Sequence, residues 1–262
     1  RFLDLGASQQ SVRITGSMKY DGAETDRGNA KTVRLRKLAG ISDDDVVFLA
    51  GSTQEPEEAM ALDIYRRLSE QWPRLRLVIV PRHPERFDLV ARHLDSSGVA
   101  WQRRTLLNEE PLDNTDHQAA GGNHQNARVL LIDEVGELGA WWGTSQIAFV
   151  GGSFGNRGGQ NMIEPAAYGA AVSFGPNTRN FRDIVTAILA RNAAVVVEDA
   201  AVLEQFVRRC LEDPGYAGAL GGRAKEFVAE QLGATQRTVE LLGDLFSALG
   251  EKETPRKGLN AA

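Results

Sequence analysis

The stretch Ile147-Ala-Phe-Val-Gly-Gly-Ser-Phe-Gly-Asn-Arg-Gly-Gly-Gln-Asn-Met-Ile-Glu-Pro-Ala-Ala167 carries the passage from strand to turn to helix on which the fold reading rests. Ile147 to Val150 is an apolar run of the kind a buried strand shows, and Asn161 to Tyr168 reads as a short helix. A glycine-rich turn between them presents bare backbone N–H groups near the positive end of a helix, a place suited to an anion and above all to a phosphate. Glu164, about one turn into the helix, is an acceptor for two hydroxyls, such as those of a ribose. A phosphate site beside a diol acceptor is the chemistry of a nucleotide-sugar pocket. The common nucleotide fingerprints do not apply. Gly159-Gln160-Asn161 stands where a P-loop needs Lys followed by Ser or Thr, and G-x-G-x-x-G is not met between Gly151 and Gly159. The competing reading of the glycines is plain loop punctuation.

Outward from this stretch, strand-like and helix-like segments alternate. Strands are expected at 46–50, 75–80, 99–102, 128–132, 147–150, 171–174 and 194–197. Helices are expected at about 55–71, 84–95, 136–142, 161–168 and 181–191, with further helical segments from Asp213-Pro214 to about Leu249. Continuous β-branched runs alternating with helices predict an α/β fold with a doubly wound parallel sheet, covered on both faces by right-handed crossovers. Ligands of such a sheet bind outside the carboxyl ends of its strands. Four polar loops fall there: Gly51-Ser-Thr-Gln54, Pro81-Arg-His-Pro-Glu-Arg86, Asp133-Glu-Val-Gly-Glu137 and the glycine-rich turn. Asp43-Asp44-Asp45 precedes a strand and reads as a solvated turn rather than a metal site. Glu55, Glu57 and Glu58 read as the acidic start of a helix.

The 262 residues suffice for one large domain or two small ones, and 42% hydrophobic residues is ordinary for a globular chain. A net charge of −5 argues against nucleic acid as a partner. Residues 1–40 nevertheless hold eight Lys and Arg against four Asp and Glu, a basic segment that suits an acidic substrate or a membrane surface, or simply solvent. The single Cys210 excludes an internal disulfide and fits a reducing compartment. No apolar run has transmembrane length and no signal peptide is evident, and the start at Arg1 suggests an excised piece. The polar segment 108–126 reads as a surface insertion. Its His117 and His124 lack carboxylates at ligand spacing, so no metal is expected there.

Taken in order, Thr15-Gly-Ser-Met-Lys-Tyr-Asp21, Ala50-Gly-Ser-Thr-Gln-Glu-Pro-Glu-Glu58, Val80-Pro-Arg-His-Pro-Glu-Arg-Phe87, Val150-Gly-Gly-Ser153 and Arg157-Gly-Gly-Gln-Asn-Met-Ile-Glu-Pro-Ala166 resemble the 3-deoxy-D-manno-octulosonic acid (Kdo) transferases, over nearly the whole chain. The resemblance implies the GT-B architecture, two Rossmann-like domains facing across a cleft, of which this chain is similar to the C-terminal, donor-binding one. On this reading residues 1–21 are a lead-in segment, 22–249 the Rossmann-like domain with its insertion at 108–126, and 250–262 a flexible tail. The resemblance implies an inverting transfer of Kdo from CMP-Kdo to the lipid A precursor in lipopolysaccharide synthesis, without metal or other cofactor. The whole protein would work at the cytoplasmic face of the bacterial inner membrane, and the fragment itself would be soluble. The family's catalytic carboxylate and acceptor-binding domain precede the matching region, so no catalytic residue is expected here.

CMP contacts carry over onto Pro81 and Arg82, onto Val135, Gly136 and Glu137, and onto Asn161, Met162, Ile163 and Glu164. Arg82 offers a planar fork for phosphate or sugar carboxylate, or caps a helix. Backbone at Val135-Gly136 suits the cytosine edge, and Glu137 is either a ligand or an early-helix acid. Lys19, Ser52, Thr53, Arg157, Gly158, Gly159 and Gln160 are further candidates for donor contacts. Gln54 and Gln160 stand where the family usually has His, which keeps hydrogen bonding but removes a titratable ring. Two other readings fit the same residues: a sugar-nucleotide epimerase of the same fold, and a nucleotide-binding module without chemistry.

Overall fold

A computed structural model describes residues 2–107 and 127–250. The expectations for 108–126, with His117 and His124, and for the tail beyond Gly250 lie outside the described residues. Seven strands form one parallel sheet: β1 (Val46–Thr53), β2 (Leu75–Pro81), β3 (Trp101–Arg103), β4 (Val129–Leu131), β5 (Ile147–Val150), β6 (Ala171–Phe174) and β7 (Val195–Val196). Their spatial order is β3-β4-β2-β1-β5-β6-β7, and every pairing is parallel. The chain lays β2 beside β1, places β3 at the far edge and inserts β4 between β2 and β3, then crosses back to add β5, β6 and β7 on the other side of β1. The switch point therefore lies between β1 and β5, where an open α/β sheet leaves a crevice. Register brings the carboxyl ends level there: Gly51 pairs with Val150, and Thr53 with Pro81.

Helices α1 (Ala30–Leu38), α2 (Glu57–Leu68), α3 (Phe87–Ser96), α4 (Leu138–Trp142), α5 (Ile163–Ala167), α6 (Arg182–Ala190) and α7 (Ala200–Glu212) intervene, and α8 (Pro214–Gln231) and α9 (Ala234–Gly250) follow. On one face of the sheet, Phe48 and Ala50 of β1, Leu77 and Ile79 of β2 and Ile147 and Phe149 of β5 bury against Leu62 and Leu68 of α2, Leu94 of α3 and Leu203 and Phe206 of α7. The alternate residues face the other layer, where Trp142 of α4 presses on Gly51 so closely that a Cβ at 51 would stand 2.4 Å from its ring.

The sequence reading has no helix before the first strand and none between Val197 and Asp213, yet the structure has both. The sequence of α1 buries only Thr32 and Leu35 and so lacks an apolar stripe. The other, α7, has the stripe, with Leu203, Phe206, Val207, Cys210 and Leu211 buried and Asp199 capping Val202. Asp45 also departs from the expected solvated turn. Its carboxylate is buried and accepts from Arg76 Nε at 2.6 Å and Arg128 at 2.8 Å, beneath β1, β2 and β4.

By compactness the chain divides into two units, 23–228 around the sheet and a smaller one of 1–22 with 229–262. The sequence reading places its boundaries at 21/22 and 249/250. Within the smaller unit, Asp21 accepts the N–H groups of Gly233, Ala234 and Thr235 at the start of α9, and Arg237 donates to the Thr15 carbonyl at 2.9 Å.

Candidate functional site

The loops that leave β1, β2, β4 and β5 share one edge of the sheet. The backbone of Arg82 joins two of them, donating to the Thr53 carbonyl at 2.9 Å. Ser52, at the end of β1, is buried and adopts a left-handed φ of 54°. Such a conformation costs about 1–3 kcal/mol and is held only where its surroundings over-determine it.

What over-determines this edge is Glu57. This residue opens α2, where a carboxylate three positions after Gln54 has the spacing to reach back to the Gln54 N–H. It does so at 2.9 Å, and the Glu57 N–H donates in turn to the Gln54 carbonyl. The same carboxylate crosses the switch point and accepts the N–H groups of Gly152 at 2.7 Å, Ser153 at 3.0 Å and Phe154 at 3.1 Å. Burial pushes this carboxyl above the ordinary glutamate value, while the four backbone donors pull the other way. The reading of the glycine-rich turn is corrected accordingly: the anion over Gly152, Ser153 and Phe154 is one the chain supplies. The glycine at 151 follows from the same contact, because a Cβ there would lie 2.6 Å from Glu57 Oε2. Glu58 turns the other way and is held by Nε and Nη2 of Arg86, each at 3.1 Å.

Polar groups meet beside this plug. Glu164 is half-buried; its Oε1 accepts from Asn161 Nδ2 at 3.0 Å, and Asn161 Oδ1 accepts the Ile163 N–H at 3.0 Å. Its Oε2 lies 4.0 Å from where a Cβ on Gly139 would stand, so the carboxylate faces the first turn of α4. Burial raises the Glu164 carboxyl above 4.5, against the Asn161 hydrogen bond and the positive charge of Arg82. Arg82 is exposed, and among the described residues its guanidinium makes no hydrogen bond or salt bridge. Thus Arg82, Asn161, Glu164 and the start of α4 come together, from three separate loops.

The remaining predicted residues divide by what they can offer. Val135 is 73% exposed, and Gly136, at φ 92°, has open space around it. Glu137 is bound by Arg104 at 2.7 and 2.8 Å and by the Trp141 indole at 3.1 Å, which fixes the turn. Pro81, Met162 and Ile163 are buried, leaving backbone as their contribution. Thr53 is fully buried, with its hydroxyl directed at the Val80 carbonyl. Gly158 and Gly159 hold φ of 89° and 79° beneath Arg179, Asn180 and Thr178. Arg157 is exposed, and Gln160 packs on Gly152. Lys19 belongs to the smaller unit.

Sequence reasoning missed the support behind this group. Arg27 donates to the carbonyls of Gly143 at 2.9 Å, Ser145 at 2.7 Å and Tyr168 at 2.9 Å. Those carbonyls lie at or just past the C-terminal ends of α4 and α5, so one cation serves both helix ends. Thr32 of α1 adds a bond to the Ala140 carbonyl, and Asn29 one to the Tyr168 hydroxyl. The two short helices are thereby held from behind while their leading turns carry Gly139 and Glu164. No local pattern marks Arg27 for this task. Glu57 did have a signal, its spacing from Gln54.

No group of three or more His, Cys, Asp and Glu placed to hold a metal occurs among the described residues. No described helix is long and apolar enough to cross a membrane.

A doubly wound parallel sheet with polar loops at its switch point is the architecture of the C-terminal domains of GT-B glycosyltransferases, and the comparisons agree with that class. The chain is 35% identical over 243 residues to the 3-deoxy-D-manno-octulosonic acid transferase of Haemophilus influenzae. It is 34% identical over 241 residues to that of Bordetella pertussis. These alignments cover 92% and 91% of the chain, which spans about half (53%) of the length of each relative. Among solved structures, the C-terminal CMP-Kdo binding domain of WaaA from Acinetobacter baumannii superposes with a TM-score of 0.64 at 28% identity. That match covers 76% of this chain and 96% of that one. No family model matches the chain. It belongs with the 3-deoxy-D-manno-octulosonic acid transferases, as a homologue of the region it aligns with.

Proposed function

We propose that this chain is the donor-binding part of an inverting glycosyltransferase that moves Kdo from CMP-Kdo to a lipid A precursor. The observation that carries the reading is the meeting of Arg82, Asn161 and Glu164 with the open turn at Val135-Gly136, on a chain homologous to Kdo transferases. Glu164 accepts the ribose hydroxyls. Arg82 faces the phosphate or the sugar carboxylate. Backbone at Val135-Gly136 reads the cytosine edge, and Glu137 holds that turn through Arg104. CMP leaves with its charge met by Arg82 and backbone dipoles rather than by a metal. A general base on the opposing side of the cleft, outside these residues, deprotonates the acceptor hydroxyl. The lipid acceptor and the inner-membrane surface belong to the whole protein. Calorimetry with CMP, UMP and AMP in excess chelator tests this reading. Preference for CMP is expected, and binding that needs magnesium, or a preference for UMP, would overturn it.

A further inference from the structure

The buried Glu57 carboxylate accepts four backbone N–H groups, one local at Gln54 and three, at Gly152, Ser153 and Phe154, from a loop 95 or more residues further along the chain. A nest of N–H groups attracts an anion, and here the anion is covalently part of the protein. A second anion brought to the same donors would meet a like charge in a water-poor place, which is strongly unfavourable.

The contacts continue from the nest toward the polar group described above. Gly152, held by Glu57, accepts the Gly159 N–H at 2.9 Å. Gln160 packs on Gly152, its Cγ 3.2 Å from where a Cβ there would stand. Asn161 follows directly and bonds Glu164. On the other side of the nest, Ser153 donates to the Val150 carbonyl and accepts from the Gly175 N–H. The Asn177 N–H caps the Ser153 carbonyl.

We propose that Glu57 is a positioning residue for donor binding: its carboxylate fills the glycine-rich nest in place of the donor's phosphate and sets the turn from which Asn161 and Glu164 project. The proposal rests on the assignment of Glu164 and Asn161 as nucleotide ligands. Glu57 itself touches no nucleotide. Because its anion is replaceable by a small carboxylate of the same shape, the role is open to chemical rescue.

The test uses the full chain carrying Glu57→Ala, with melting temperature and CMP affinity measured in sodium formate and, as control, in sodium chloride at equal ionic strength. In chloride the variant is expected to melt earlier than wild type and to bind CMP at least tenfold more weakly. Formate, entering the vacated nest, is expected to restore both quantities saturably and to leave wild type unchanged. CMP affinity within twofold of wild type in chloride would overturn the proposal. So would formate restoring the melting temperature without the affinity, since Glu57 would then serve the fold alone. If the alanine variant does not fold in either salt, Glu57→Gln, which keeps one acceptor oxygen, takes its place. A folded Gln variant with wild-type affinity overturns the proposal, and one at least tenfold weaker supports it. If wild type itself binds no CMP, the nucleotide reading has failed, and amide exchange decides the positioning role alone. Faster exchange in the variant at 152–154 and also at 159–164 supports it; a change confined to 152–154 overturns it.

Discussion

Glu164 is asked to be two things at once. A carboxyl that accepts from two hydroxyls does so most strongly when ionised, since the protonated form gives up one oxygen to an O–H donor, yet burial favours that protonated form and raises it above 4.5. Two consequences have opposite signs. For the empty fold, a raised folded value means that this group's contribution is full below 4.5 and is lost as pH rises through the folded value. Glu164→Gln is therefore expected to leave the melting temperature at neutral pH unchanged or slightly raised. For the ligand, the charged form is the competent one, so CMP affinity should fall on acidification at a pH above the usual glutamate range. Titrating wild type and Glu164→Gln side by side removes the contribution of the CMP phosphate itself, and the extra acid-side loss should be confined to wild type. At neutral pH, Glu164→Ala should cost roughly 1.5–3 kcal/mol of binding, about ten- to a hundredfold. An unchanged affinity in a folded variant removes Glu164 from the site.

At the scale of elements, the five-residue helices α4 and α5 are too short to be stable by themselves. Their support is Arg27. Arg27→Ala leaves three carbonyls without their donor, and the expected loss is on the order of 3 kcal/mol. Arg27→Lys should recover only part of it, because an ammonium group lacks the guanidinium's planar fork. Denaturant unfolding measures both, and a loss below 0.5 kcal/mol in the alanine variant would show that α4 and α5 are held without it. At the opposite end of the sheet, Asp45 ties β1 to β2 and β4. Burial pushes its carboxyl up, but the Ser42 N–H and the guanidinium groups of Arg128 and Arg76 prevail and bring it down to about 2 from 3.8. Its contribution is then present above 3.8 and lost as pH falls through about 2. Asp45→Asn should cost about 3 kcal/mol at neutral pH by leaving Arg76 half-satisfied, and much less near pH 2. Equal losses at both values would show that the charge is immaterial.

At the scale of the molecule, the chain spans about half of each curated relative. Positioning of acceptor and base against the donor supplies much of a transferase's rate. The expectation is that the purified chain binds CMP but transfers nothing when incubated with CMP-Kdo and lipid A precursor. Multiple-turnover Kdo adduct detected by mass spectrometry would place the base within these 262 residues. How far the sequence spoke follows the range of the forces involved. Strands β1, β2, β5 and β6 were legible because each is dominated by apolar residues and is buried along nearly its whole length. The amphipathic period of α7 was equally visible and went unread. The nest was recognised as an anion site, but not whose anion, since the donor of that charge lies 95 residues before Gly152. Nor does any local pattern disclose that Arg27 bonds Gly143, 116 residues on. Asp45 looked solvated because its partners Arg76 and Arg128 arrive only with the neighbouring strands.

The strand order has a consequence for how the chain reaches this state. Val46 finds Leu75 across one short crossover, but Phe48 must also find Ile147, and the Val47 N–H waits for a side chain 99 residues away. Pairings so remote are reached late, because the entropy of closing the intervening loop is spent before the contacts return it. Until β5 arrives, one side of β1 is an open apolar edge able to pair with another chain. Refolding should then be concentration-sensitive, with amides of β1 and β2 protected before those of β5 and β6, and the crevice between β1 and β5 should be the last part of the sheet to exist.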